Sequence, residues 1–122
     1  MIAMLRALLV ALFLITGAAQ PASAGAFEDG LAAYDAGDYP TALRLWMPLA
    51  RQGNATAQFN LGLMYGNGRG VPQNYVLAHM WSNLASASGN ANAPKNRDAV
   101  AAKMTPAQIA EAQRLAAEWK PK

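Results

Sequence analysis

The sequence predicts an all-α protein, built as a short solenoid of stacked helical hairpins. No segment shows the alternating, β-branched pattern of a strand. Glycine, proline and capping residues recur where helices of ordinary length would end and begin. A pattern of small and aromatic residues is also repeated after 36 positions, and a period of this size is typical of arrays of helix pairs.

The first hairpin is bounded by residues that favour the ends and starts of helices. Its first helix is expected at about 26–36. Asp38 is a suitable N-cap for the second helix, and Pro40 falls in the first turn, where a missing N–H costs nothing. Gly53 then ends that helix, so the hairpin is expected to occupy residues 25–53.

Two asparagines mark the second hairpin in the same way. Asn54 is placed to cap the third helix, and Asn74 to cap the fourth, which Gly89 closes. Apolar residues at positions 57, 61, 64 and 65 fall on one face of the third helix. The second hairpin is therefore expected to span residues 54–89.

Two further helices are expected to cap the array. They are predicted at 95–104 and 106–119, and Thr105 and Pro106 suit the start of the second of them. That last helix has an apolar stripe and an opposite polar side, as a helix covering the end of a core should have. Residues 94–122 are thus interpreted as capping helices of a single domain, 25–122.

The two hairpins repeat one another. Five residues of the first recur with the same or similar character 36 positions later: Tyr39, Ala42, Leu45, Leu49 and Gly53 as Tyr75, Ala78, Trp81, Ala85 and Gly89. In the preceding helices, Phe27 and Gly30 recur 32 positions later as Phe59 and Gly62. The difference of four residues between these offsets falls in the loop, so the second hairpin is predicted to have the longer turn.

This longer turn is rich in glycine, with Gly66, Gly68 and Gly70 close together. A phosphate-binding loop would need a preceding strand and a terminal Gly-Lys-Ser/Thr, and the sequence has neither here. A joint between helices explains the glycines better, because all three are expected to take positive φ angles. Gly62, inside the helix, is expected to let the partner helix approach at Ala78.

The second hairpin resembles the Sel-1-like repeat, a relative of the tetratricopeptide repeat. The residues that carry the resemblance, within 57–89, are Leu61, Gly62, Met64, Tyr65, Gly68, Gly70, Val71, Ala78 and Trp81. The first hairpin lacks the long glycine turn and resembles a tetratricopeptide hairpin. The resemblance implies a right-handed α-solenoid of a family whose members act as adaptors in protein complexes, without catalysis.

Residues 1–24 have the pattern of a cleavable secretory signal peptide. Arg6 precedes an apolar run of 13 residues, and the small residues Ala22 and Ala24 follow it. The run is shorter than the roughly 20 residues that a membrane span needs. Cleavage is expected after Ala24, which would leave a periplasmic or secreted protein with no stable membrane span.

Composition argues against several kinds of chemistry. The formal net charge is +3, and the basic residues are scattered, so no nucleic-acid partner is expected. Cysteine is absent. His79 is the only histidine, and Ser82 shares its helix face, but a triad would also need an orienting acid and an oxyanion hole. The sequence predicts no catalytic, cofactor or metal site, and therefore no enzyme.

Polar residues on the inner faces of the first helices are the candidate partner-binding residues. They are Arg51, Gln58 and Asn60, with an ordinary surface role as the alternative. The predicted function is a protein-interaction or scaffolding module of the bacterial cell envelope, with a protein partner. The alternatives are a small-ligand binder, a cell-wall-associated enzyme and an accessory subunit of a larger assembly.

Overall fold

The computed structural model describes residues 25–122, so the expected signal peptide and its cleavage site lie outside the described residues. Within this range the chain forms six α-helices and no strand, which confirms the all-α prediction. The helices are α1 (Ala26–Asp35), α2 (Tyr39–Arg51), α3 (Ala55–Asn67), α4 (Tyr75–Ala87), α5 (Ala93–Ala101) and α6 (Pro106–Glu118).

The predicted caps start the helices as expected. Each Asx side chain accepts a hydrogen bond from the amide three residues further on, at 3.3 Å for Asp38, 2.8 Å for Asn54 and 3.0 Å for Asn74. Thr105 forms a full capping box with Gln108. These bonds satisfy amides that have no partner inside the helix, so the helix starts follow from local sequence.

The bounds of α5 differ most from the prediction. It begins at Ala93 and ends at Ala101, whereas 95–104 was expected. Pro94 lies in its first turn, where proline is tolerated because that amide has no helical acceptor. Pro94 therefore belongs to the helix, one residue before the predicted start.

The helices stack as two hairpins followed by two separate helices. α1 pairs with α2 and α3 with α4, and the hairpins meet where α2 packs against α3. α5 and α6 each pack against α4 but make little or no contact with one another. They therefore lie on different sides of α4 and do not form a third hairpin.

The core lies between the hairpins and includes both tryptophans of α2 and α4. Trp46 is 1% exposed and Trp81 5%. The indole Nε1 of Trp46 donates a hydrogen bond to the Phe27 carbonyl at 3.1 Å. A Cβ on Gly30 would overlap this indole, so the glycine leaves room for the ring.

The glycine turn follows the prediction at two of its three glycines. Gly68 and Gly70 have φ angles of +67° and +75°. The prediction for Gly66 is wrong, because α3 continues to Asn67 and Gly68 is its left-handed C-cap. A Cβ on Gly70 would also lie 3.0 Å from the backbone of Tyr39. Both the positive φ angle and this close approach therefore favour glycine at position 70.

The same turn contacts the first hairpin. Arg69 Nη1 donates a hydrogen bond of 2.5 Å to the hydroxyl of Tyr34. Its guanidinium carbon lies 5.7 Å from the centre of the Tyr34 ring and 5.5 Å from that of Tyr39, within the range of a cation–π interaction. The turn with four extra residues thus places the guanidinium of Arg69 against the first hairpin.

Candidate functional site

A shallow groove lies between α1 and α3, the first helices of the two hairpins. Its cavity has a volume of about 190 Å³. We call it the inner groove, and it is lined by Leu31, Tyr34, Asp35, Trp46, Asn60 and Leu63.

The packing of the helices explains why this groove is open. α2 packs against both α1 and α3, whereas α1 and α3 make little or no direct contact. Trp46 of α2 therefore borders the space between them. Leu31 on the rim is 39% exposed, and it is the large apolar residue that the described part of the chain leaves most open to solvent.

Asn60 is the predicted partner-binding residue that the structure places in this groove. Its side chain is half-buried, and it has no hydrogen bond among those found within residues 25–122. An asparagine amide can both donate and accept. Beside the apolar Leu31 and Leu63, it offers a polar contact for the backbone or side chain of a partner.

Gln58 does not belong to this surface, because it is completely buried. Its Nε2 donates a hydrogen bond of 3.1 Å to the Ala50 carbonyl in the last turn of α2, which also accepts from the amide of Gly53 at 3.0 Å. Helical spacing could have revealed this, because Gln58, Leu61 and Tyr65 follow at i, i+3 and i+7. Gln58 joins the hairpins and is out of reach of a partner.

Arg51 is exposed but lies away from the inner groove, beside Trp81 and the residues after α6. The structure therefore separates the three candidates: Asn60 is in the groove, Gln58 in the core and Arg51 at another cavity. Sequence reasoning did not single out Leu31 and Leu63. Leu63 lies off the buried face of α3, although Leu61 and Met64 close to it in sequence are buried. An apolar residue off the buried face is the signal that could have identified the groove.

His79 and Ser82 are both buried in α4, and their surroundings are those of structural residues. His79 is 3% exposed, and its Nδ1 has no hydrogen-bond partner. Ser82 is used elsewhere, because its Oγ accepts a hydrogen bond of 2.8 Å from Asn96 Nδ2 of α5. Across residues 25–122 there is no group of three or more side chains suited to hold a metal ion.

His79 makes stability depend on pH. Burial lowers its pKa, the positive charge of Arg97 lowers it further, and Asp98 opposes these effects. The unfolded chain then binds the proton more readily, so the stability contributed by neutral His79 is complete above about pH 6.5 and is lost as the pH falls below it.

We expect the free energy of unfolding in urea to fall between about pH 7 and pH 5.5, above the range where carboxylates titrate. His79→Leu should remove most of this slope, because the chain has no other histidine. An equal slope in the variant would contradict the assignment to His79.

Comparison with protein families finds a match in the second hairpin. Residues 55–90 match the family model described as Sel1 repeat, and this range contains α3, the glycine turn and α4. No curated protein matches the chain significantly. None of the helices within residues 25–122 has the length and apolar character needed to cross a membrane.

Proposed function

We propose that the protein is a non-catalytic interaction or scaffolding module of the cell envelope. Residues 55–90 match the Sel1 repeat, a repeat that generally mediates protein–protein interaction. The observation that carries this proposal is the inner groove. Its rim combines the exposed Leu31 with the unbonded amide of Asn60, a pairing suited to a partner's apolar side chain and its polar backbone.

The size of the groove favours a protein over a small molecule. Its volume of about 190 Å³ is below the range of about 300–1,000 Å³ that is usual for small-ligand pockets. Its one ionisable carboxylate is Asp35, and acid–base catalysis generally needs groups that converge on one reacting atom. The groove suits a side chain inserted from a larger surface.

The proposed location is the periplasm or the exterior of the cell. The charged, apolar and small residues of positions 1–24 support it. Placement in the envelope implies an envelope protein as the partner.

The test begins with a photo-crosslinking residue at position 60, introduced into the chain in intact cells. We expect it to capture an envelope protein, whose affinity is then measured with both proteins purified. Leu31→Glu should weaken binding by about tenfold or more, since a buried unpaired charge costs more than 1.4 kcal/mol. Asn60→Ala should weaken it by about fivefold, as expected for the loss of one hydrogen bond.

The matched control is Gln113→Glu, which adds the same charge at an exposed position of α6. It should leave the affinity unchanged, and all three variants should keep their melting temperatures within a few degrees. If both groove variants bind like the unaltered protein, the inner groove is not the interaction surface. Capture of cytoplasmic proteins alone would contradict the proposed location.

A further inference from the structure

A second cavity, larger than the inner groove, lies at the far end of α2. Its volume is about 460 Å³. We call it the outer cavity, and it is lined by Arg51, Trp81, Glu118, Trp119, Lys120, Pro121 and Lys122. It shares no residue with the inner groove, so the two can be occupied at once.

The segment after α6 forms one wall of the outer cavity. The chain leaves the helix at Trp119 in an extended conformation. The amide of Lys122 then donates a hydrogen bond of 2.8 Å to the carbonyl of Arg51, the last residue of α2. Because that carbonyl has no partner inside its helix, the bond ties the segment across the end of α2.

Three basic side chains and one carboxylate, Glu118, line this cavity, and none of the three cations is in a side-chain ion pair found within residues 25–122. Among residues 25–122 the ion pairs are formed by Arg97 and Arg114. The cavity's own carboxylate, Glu118, is engaged by Arg114 at 2.8 Å. The negative end of α2 accounts for a cation at Arg51, but it does not explain the two lysines brought to the same place by the returning segment.

The other feature of the outer cavity is aromatic. Trp119 is half-buried there, whereas Trp81 is only 5% exposed and belongs to the core. The indole of Trp119 offers apolar surface and an N–H that can donate a hydrogen bond. A ligand that fits both the cations and this indole therefore carries negative charge next to an apolar group.

We propose that the outer cavity binds an acidic peptide segment that carries an apolar or aromatic side chain. The volume of about 460 Å³ is more than an inorganic anion would fill. Recognition of an anionic lipid surface usually uses clusters of about four to eight basic residues, and here there are three. The protein is then an adaptor with two faces, one at the inner groove and one at the outer cavity.

The test uses two labelled pentapeptides, Asp-Glu-Phe-Glu-Asp and its amide counterpart Asn-Gln-Phe-Gln-Asn, with binding followed by fluorescence anisotropy. We expect the acidic peptide to bind and the amide peptide to bind at least about tenfold more weakly. The affinity for the acidic peptide should fall as salt is raised, because exposed charges are screened. Quenching or a shift of tryptophan emission should accompany binding.

Arg51→Gln and Lys120→Gln should each weaken the acidic peptide by about fivefold, the effect of one exposed ion pair. The matched controls are Arg44→Gln and Lys95→Gln, exposed cations outside this cavity. They should bind as the unaltered protein does, and so should Leu31→Glu, which separates this result from that of the inner groove.

Three outcomes would overturn the proposal. The first is equal binding of the acidic and amide peptides. The second is an acidic-peptide affinity that the cavity variants and the controls change equally. The third is binding to vesicles of phosphatidylglycerol and phosphatidylcholine in the absence of any peptide binding, which would assign these cations to a membrane surface. Since Lys120 is exposed, its substitution keeps the test valid even if Arg51→Gln unfolds.

Discussion

Trp46→Ala is expected to lower the free energy of unfolding by about 3–5 kcal/mol. The side chain is 1% exposed, and its ring centre lies 5.9 Å from that of Phe27 and 5.8 Å from that of Tyr34. Its loss leaves a cavity between the hairpins and removes the hydrogen bond to the Phe27 carbonyl. At about 4–8 °C per kcal/mol for a domain of this size, the melting temperature should fall by well over 10 °C.

Trp46→Phe is the control for this prediction. Phenylalanine keeps an aromatic ring against Phe27 and Tyr34 but cannot donate the hydrogen bond, so it should cost clearly less than alanine. Thermal melts and urea titrations followed by circular dichroism give both values. A loss below about 1.5 kcal/mol for Trp46→Ala would contradict the central position of this residue in the core.

Gly62→Val is expected to cost about 3 kcal/mol, at the upper end of the usual range for overpacking. A Cβ at Gly62 would lie 2.6 Å from Ser82 Oγ and 3.3 Å from the Ala78 carbonyl. The hydroxyl is not free to rotate away without cost, because Asn96 donates a hydrogen bond to it at 2.8 Å. The two helices of the second hairpin must move apart, and the urea midpoint should fall accordingly.

Gly66→Ala is the matched control, one turn further along α3. Its Cβ would meet nothing closer than the Ala78 Cβ at 3.6 Å, an ordinary contact. Gly66 lies in the last turn of α3, so its replacement should stabilise the protein by no more than about 1 kcal/mol, the value for a helix interior. Equal destabilisation at both positions would show that close approach of the helices is not what requires Gly62.

The parts of the fold that follow from local chemistry could be predicted from sequence. An Asx cap bonds an amide three residues away, and the spacing of apolar residues indicates which face of a helix is buried. Both depend on residues close in sequence, and the predicted caps and helices were confirmed. Gly66 was misassigned because glycine is compatible with both helix and turn. Its neighbour Gly68 ends the helix, and composition alone does not decide between them.

The candidate site was predicted less well because its geometry is non-local. Helical spacing places Gln58 on the apolar face of α3, but the carbonyl of the preceding helix that it bonds is set by tertiary packing. Arg51 and Asn60 belong to different cavities. The placement of α5 and α6 around α4 also depends on tertiary packing that no short spacing encodes.

The two repeats differ in the residue that faces an equivalent glycine. Gly30 faces Trp46 and Gly62 faces Ser82, and Trp46 and Ser82 are related by the repeat offset of 36. The glycines are thus equivalent, whereas their partners differ greatly in volume. The small Ser82 admits Asn96 of α5, at the place where the first repeat has an indole.

The contact of Arg69 with Tyr34 has a consequence for cooperativity. In a simple array each unit contributes its own stability plus one interface with its neighbour, so terminal units can fray independently. Here the turn of the second unit binds the first across 35 positions, and Gly70 also packs on the backbone of Tyr39. Opening the first unit therefore also breaks contacts of the second unit. This disfavours half-unfolded intermediates and favours a single all-or-none transition.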